Sequence, residues 1–300
     1  MMIEPFFDER TSTVTYVVYD SATGDAVVID PVLDYEPAAS KVWTESADKV
    51  IAYLREKNLK PHFILETHAH ADPLSAAQEL KKVFPQAVNA VAERITLVQQ
   101  TFKTVFDLPA GFATDGSQFD RLLHDGETVT AGTLSFKVIS TPGHTPACAS
   151  YLIEDAVFTG DALFMPDMGT GRCDFPLGSA ADLFLSISNK LYTLPASTRV
   201  FVGHDYQPGG REVAWESTIE AQKKHNIQLK SDTTQDDFVK FRQARDKTLA
   251  APRLLFQSVQ VNIDAGALPA ADDSCRRYLK IPVNIFRPLA DGELTLDECN

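Results

Sequence analysis

The stretch Thr67-His68-Ala69-His70-Ala71-Asp72 decides how this chain is read. It sets three potential metal donors, His68, His70 and Asp72, within five residues. Just before it, Phe63-Ile64-Leu65 is a short apolar run that reads as a buried strand, and after it Leu74 to Val83 is helical in pattern. The donors therefore sit in the turn between a strand end and a helix start, where α/β proteins tend to place ligand-binding groups. The design recurs. Strands over 134–140, 156–158 and 199–202 deliver His144, Asp161 and His204 just past their ends. A divalent ion needs several N or O donors at about 2.0–2.2 Å from rigid elements, and strand ends on one rim of a sheet meet that need without strain. A lone His is more often a structural residue than a ligand. An H-x-H-x-D run joined by three strand-end donors points to a metal site.

Outward from the turn, Thr13–Asp20 is rich in β-branched and aromatic residues, 21–25 reads as a turn, and Ala26–Pro31 reads as a buried strand, giving an opening hairpin. Ser46–Lys57 has helical spacing, with Val50, Ile51 and Leu54 apolar and Asn58 as the stop. Ala149–Ile153 is a further strand. From about Ala214 the chain turns polar and helical, and it closes with the run Tyr278-Leu279-Lys280-Ile281-Pro282-Val283-Asn284. No repeat or low-complexity segment interrupts it.

At 300 residues and 44% apolar content, the chain has enough material for one large α/β core. The formal net charge of -13 argues against a nucleic-acid binder and against an anionic membrane surface as partner. The N-terminus has no basic region and no long apolar run, so it does not read as a signal peptide, and no stretch approaches the roughly 20 apolar residues of a membrane helix. Cys148, Cys173, Cys275 and Cys299 show no C-x-x-C spacing, which disfavours structural zinc and suits reduced thiols in a cytoplasm.

Taken in order, Thr67–Asp72, Thr141-Pro142-Gly143-His144-Thr145, Phe158-Thr159-Gly160-Asp161 and Gly203-His204-Asp205-Tyr206 resemble the marks of the metallo-β-lactamase superfamily. Within it the chain is similar to persulfide dioxygenases of the ethylmalonic-encephalopathy type, and to their bacterial β-lactamase-like hydrolase branch. The finer marks are 115–120, 145–148, Gly171-Arg172-Cys173-Asp174-Phe175-Pro176, Trp215-Glu216 and 278–284, so the likeness spans roughly 6–284. It implies an αββα sandwich with a helical C-terminal extension, a catalytic core over 1–210 and an extension over 211–300 packed on the same domain. It assigns one Fe(II) per chain to His68, His144 and Asp161, a facial triad that leaves positions for substrate and O₂. His70, Asp72 and His204 then orient those ligands or tune the metal. The activity implied is oxidation of glutathione persulfide by O₂ to sulfite and glutathione. The alternative is a zinc thioester hydrolase of glyoxalase II type, and a non-catalytic binding protein on the same fold is a third class.

One departure bears on that choice. The superfamily run ends H-x-H-x-D-H, and here its last position is Pro73, which offers no donor. In dinuclear hydrolases that His helps hold a second metal, so its loss favours one metal over two. Arg172 fits two roles: holding the glutathione carboxylates, as the resemblance implies, or a salt bridge to Asp174. Tyr206 fits a hydrogen bond toward a metal-bound atom, or plain packing. Arg211 and Lys280 are further candidate cations for an anionic substrate. Cys148 and Cys173 read as small buried hydrophobes rather than catalytic thiols, and His62, His124 and His225 lie outside any ligand pattern. A homodimer is carried as an expectation.

Overall fold

Every residue of the strand Thr13–Tyr19 is buried, and its side chains alternate between two cores: Val14, Tyr16 and Val18 face one, Val17 and Tyr19 the other. A strand covered on both faces belongs inside a layered sandwich. The computed structural model describes residues 1–285 and has that architecture. One six-stranded sheet runs, in order across it, Met2–Asp8, Thr13–Tyr19, Asp25–Ile29, Lys60–Glu66, Val88–Ala92, Arg121–Leu123. The other runs Thr128–Ala131, Leu134–Ser140, Ala149–Ile153, Ala156–Phe158, Arg199–Phe201, Glu216–Thr218. The helices are α1 (Glu45–Glu56), α2 (Ala77–Val83), α3 (Ile95–Val105), α4 (Ala180–Asn189), α5 (Ile219–His225), α6 (Gln235–Asp246) and α7 (Leu255–Asn262). α1 and α2 cover the outer face of the first sheet, and α4 and α6 that of the second, which makes the expected αββα layering.

The two inner faces meet through aromatic side chains. Tyr16 packs edge-on to Phe158 and Phe201 at ring-centroid distances of 5.1 and 5.5 Å. Its hydroxyl donates across the sandwich to the Val202 carbonyl at 2.6 Å, and Tyr151 donates the other way to the Glu66 carbonyl at 2.7 Å. Val202 lies two residues before His204 and Glu66 two before His68, so these tyrosines pin the two sheets together at the rim that carries the metal-type donors. The amide of Val14 to the Gly203 carbonyl and that of Ala149 to the Thr67 carbonyl, both 2.9 Å, stitch the same rim.

Two elements differ from the sequence reading. The helix expected from Leu74 starts at Ala77, because Leu74–Ser75 pairs antiparallel with Val32–Leu33 in a small third sheet. After Ala214 the chain first adds an edge strand, Glu216–Thr218, before α5 begins. No described helix is long and apolar enough to cross a membrane. Of the cysteines, Cys148 and Cys173 are buried and Cys275 exposed, all three as free thiols; Cys299 and the rest of 286–300 lie outside the described residues.

Candidate metal centre

The site begins with Asp30, just past a strand end and held at φ 51°. Its carboxylate accepts from the Thr67 amide at 2.7 Å and from the Thr67 hydroxyl at 2.8 Å. Because that hydroxyl spends its proton on Asp30, it accepts from His68 Nδ1, 3.0 Å away. The proton of His68 is thereby fixed on Nδ1, and Nε2 carries a lone pair. His144 is set the same way: Nδ1 lies 2.6 Å from the Arg172 carbonyl, which can only accept, so Nδ1 carries a proton and Nε2 is the atom turned to the site.

Both Nε2 atoms converge on Asp161. They lie 4.0 Å (His68) and 3.5 Å (His144) from its Oδ2, and the three donor atoms all fall within 4.8 Å of one another. The other carboxylate oxygen, Oδ1, is 2.7 Å from His204 Nδ1. Burial opposes the charge on Asp161, but His204, His144 and His68 outweigh it and hold the carboxyl far below its usual range. Burial first, and the neighbouring histidine charges after it, push His68 well below its ordinary value. The set is thus two imidazoles and one carboxylate, all buried, whose Nε2 atoms and carboxylate oxygen face one point. Those residues fit a divalent metal. Close packing keeps the rim in this shape: Gly160 has φ +50°, and a Cβ there would stand 2.5 Å from the Thr67 hydroxyl.

His70 is turned elsewhere. Its ring lies against that of His68 at 3.9 Å between centroids, with Nε2 3.0 Å from Asp30 Oδ1 and 3.9 Å from Glu66 Oε2. Burial would lower its pKa, but the charges of Asp30 and Glu66 prevail and raise it to about 9. The Nε2 atom thus faces Asp30 and Glu66 and not Asp161, and neither ring nitrogen makes a well-formed hydrogen bond. Burial and the Asp30 charge in turn lift Glu66 to about 8. Asp30, Glu66 and His70 form a second buried cluster whose donor atoms also lie within 4.8 Å of one another, and it stands as a charge-compensated group behind the first. Asp72 lies on the cavity side, where burial raises its pKa, with the Tyr206 hydroxyl 3.5 Å from Oδ2. His204 is buried and stacks on Tyr206, ring centroids 5.7 Å apart.

A cavity of about 280 Å³ opens over His144, Asp161 and His204, walled by Phe164, Met168 and Tyr206. It adjoins a larger one of about 850 Å³, and His144, Arg172, Leu249 and Pro252 line both. Much of the wall comes from the loop after α6, which carries no motif in the sequence. Arg172 lies between the cavities and is already engaged: Nε and Nη2 hold Asp174 at 2.5 and 2.6 Å, and Nη1 donates to the Ala250 carbonyl. Arg211 forms paired contacts with Asp205 and Asp167, and Lys280 pairs with Asp107; neither lines a cavity at the site. Arg245 is a cation that sequence reasoning missed. It lines the smaller cavity, is exposed, and has no ion pair among the described residues. Burial pushes the Cys148 thiol up to about 12, and Cys173 is raised further by the same cause, so both stay protonated. His62 and His124 pair with Asp25 and Glu93 away from the site, and His225 ends α5.

The comparisons with known proteins agree with this geometry. Residues 8–204 match the family model described as the metallo-beta-lactamase superfamily. The chain is 48% identical over 286 residues to Glyoxylase B2 of Dictyostelium discoideum, covering 95% of this chain and 98% of that protein. It is 29% identical over 269 residues to the mitochondrial persulfide dioxygenase ETHE1 of Bos taurus, covering 89% of each. Its fold superposes on the crystal structure of ETHE1 from Myxococcus xanthus with a TM-score of 0.71 and 31% identity, over 89% of this chain and all of that one. Donor-bearing strand ends on one rim of an αββα sandwich, together with a family match over most of the chain, place this protein in the metallo-beta-lactamase superfamily.

Proposed function

We propose that the chain is a persulfide dioxygenase holding one Fe(II), with glutathione persulfide and O₂ as substrates. The observation that carries this reading is the donor set. His68, His144 and Asp161 make a two-His, one-carboxylate group of the kind used by non-haem Fe(II) oxygenases. His70 is committed to Asp30, and Pro73 brings no donor for a second ion. The relative named persulfide dioxygenase supports it. Iron bound there supplies the redox chemistry with O₂ and a point of attachment for the terminal sulfur. In balance, glutathione persulfide, O₂ and water give glutathione, sulfite and two protons; the S–S bond breaks, the terminal sulfur is oxidised and O₂ is reduced.

The chain's own residues do the rest. The Thr67 hydroxyl and the Arg172 carbonyl hold the two imidazoles in one tautomer, and His204 holds Asp161. Phe164, Met168, Leu249 and Pro252 limit water. The charges of Asp72 and Asp161 favour the protonated Tyr206 phenol, whose hydroxyl donates weakly to Asp72 at 3.5 Å and would be free to turn to a substrate sulfur in the cavity it lines. The anionic thiol carrier needs local cations on a chain of net charge -13. Of those lining the two cavities Arg242 is engaged by buried Asp246, which leaves Arg172, Arg245 and, in the larger cavity, Lys247. Arg245→Ala is expected to raise KM for glutathione persulfide about 10-fold with kcat within about twofold, the pattern of lost ground-state binding. Arg172→Ala should act in the same direction but also disturb the loop that orients His144. Steady-state kinetics of both variants check this, and unchanged KM in either removes that residue from the substrate site.

A zinc thioester hydrolase is the second reading, favoured by the name of the Dictyostelium relative, Glyoxylase B2. The discriminating experiment is metal analysis of aerobically purified protein, with O₂ uptake on glutathione persulfide run beside hydrolysis of a glutathione thioester. About one iron per chain and one sulfite per O₂ consumed is the expected result. Zinc, thioester hydrolysis and no O₂ uptake would establish the other.

A further inference from the structure

The turn that carries His68 and Asp72 has almost no hydrogen bonding of its own. Among the described residues, the carbonyls of His70, Asp72 and Pro73 are met by no backbone amide; each accepts from a side chain of α7 instead. Asn262 Nδ2 donates to the His70 and Pro73 carbonyls, both at 2.9 Å, and its Oδ1 accepts from the Ser75 amide at 2.8 Å. Ser258 Oγ donates to the Asp72 carbonyl at 3.0 Å. Both side chains are buried, and the four contacts span 186–192 positions of sequence. Buried carbonyls must be paired somewhere. Here Pro73 has no N–H to give, and the turn must splay its side chains, so the pairing comes from outside. The flanking residues reinforce the joint: Gln78 and Asn89 donate to the Ala265 carbonyl, and Gln99 to that of Ile263, directly after α7.

We propose that Asn262, assisted by Ser258, is a positioning residue for the metal centre: docking of α7 sets the backbone of 70–75 and thereby the aim of His68. The C-terminal segment is then part of the site rather than a cover on it. One amide side chain bonds three main-chain groups around a turn that has no ladder to hold it, so loss of Asn262 leaves two acceptors and a donor buried and unpaired. The inference rests on the assignment of His68, His144 and Asp161 as the metal group, but not on the choice between oxygenase and hydrolase.

The test uses the full chain stripped of metal, with Zn(II) affinity measured by chelator competition and the visible bands of the Co(II) form as probes. Asn262→Leu, close in shape, is expected to weaken Zn(II) binding about 10–100-fold, the usual consequence of losing a group that orients a ligand. It should shift the Co(II) bands and speed hydrogen exchange of amides 70–75 in the metal-free protein. Ser258→Ala, which removes one bond and leaves Asn262 in place, should do the same more weakly. Val129→Ala, in the core between the sheets, serves as a control for lowered stability and should leave Zn(II) affinity and the Co(II) spectrum unchanged. If Asn262→Leu and Ser258→Ala lower the melting temperature yet keep Zn(II) affinity within about twofold and the same Co(II) bands, the proposal falls. It also falls if Val129→Ala weakens metal binding as much. Failure of the unaltered protein to bind Zn(II) or Co(II) would instead overturn the metal assignment on which the inference rests.

Discussion

Asp161→Asn should cost more metal affinity than a change at any residue that only contacts a ligand and, if the proposed oxygenase reading holds, abolish O₂ uptake. The substitution keeps shape and removes charge. The consequence is worse than a weaker ligand, because His204 Nδ1 donates to Asp161 Oδ1 at 2.7 Å and needs an acceptor there. An amide has one acceptor. If its oxygen faces His204, its NH₂ faces the His68 and His144 nitrogens and offers no lone pair to an ion. If it flips, two donors oppose each other at His204. Loss of an orienting group typically costs 10–100-fold, and loss of this ligand is expected to exceed about 100-fold. Iron content and O₂ uptake should fall together. If the Asp161→Asn variant retains one tightly held iron, the carboxylate is not a ligand.

A large loss of stability is expected from Arg242→Met. Arg242 is 2% exposed and pairs with buried Asp246 at 2.8 Å. It also donates to the Thr170 carbonyl and to Gln228 Oε1, while Asp246 accepts from the Cys173 amide. The pair therefore ties α6 to the 170–173 segment, whose Arg172 carbonyl fixes His144. Removing the cation leaves a carboxylate buried without its partner, which typically costs about 3–5 kcal/mol. Urea unfolding of the metal-free protein should show a lower midpoint at unchanged slope. The double variant Arg242→Met with Asp246→Leu should recover part of the loss, since a hydrophobic replacement of both partners leaves no stranded charge. A shift under about 1 kcal/mol in the single variant would mean the pair is not desolvated as described.

The sequence speaks clearly where chemistry is local. His68, His144 and Asp161 each follow a strand by two to four residues, and the glycines and threonines beside them mark tight turns, so their convergence could be expected from pattern. The strand Thr13–Tyr19 was legible from its β-branched and aromatic residues, all of them buried, whereas the αββα layering came with the family resemblance. Other features are set by contacts distant in sequence. Leu74–Ser75 reads as the first turn of a helix until Val32–Leu33 is seen to pair with it. The edge strand Met2–Asp8 contains Pro5, which suits an edge but weakens a strand pattern. Asp30 reads as a strand terminus only; its hold on Thr67 and His70 appears once the two strands lie side by side. Asn262, Ser258 and Arg245 carry no motif at all, because what each faces lies in another part of the chain.

The comparison of His68→Ala with His70→Ala, by metal content per chain after loading with one equivalent of Fe(II) and gel filtration, tests the ligand set most directly. His68 is assigned as a ligand, while His70 turns its Nε2 to Asp30, 3.0 Å away, and not toward Asp161. His68→Ala should lose nearly all its iron, and His70→Ala should retain most of it. If His70→Ala is stripped as completely as His68→Ala, both histidines are ligands, and the arrangement is that of a dinuclear-type hydrolase.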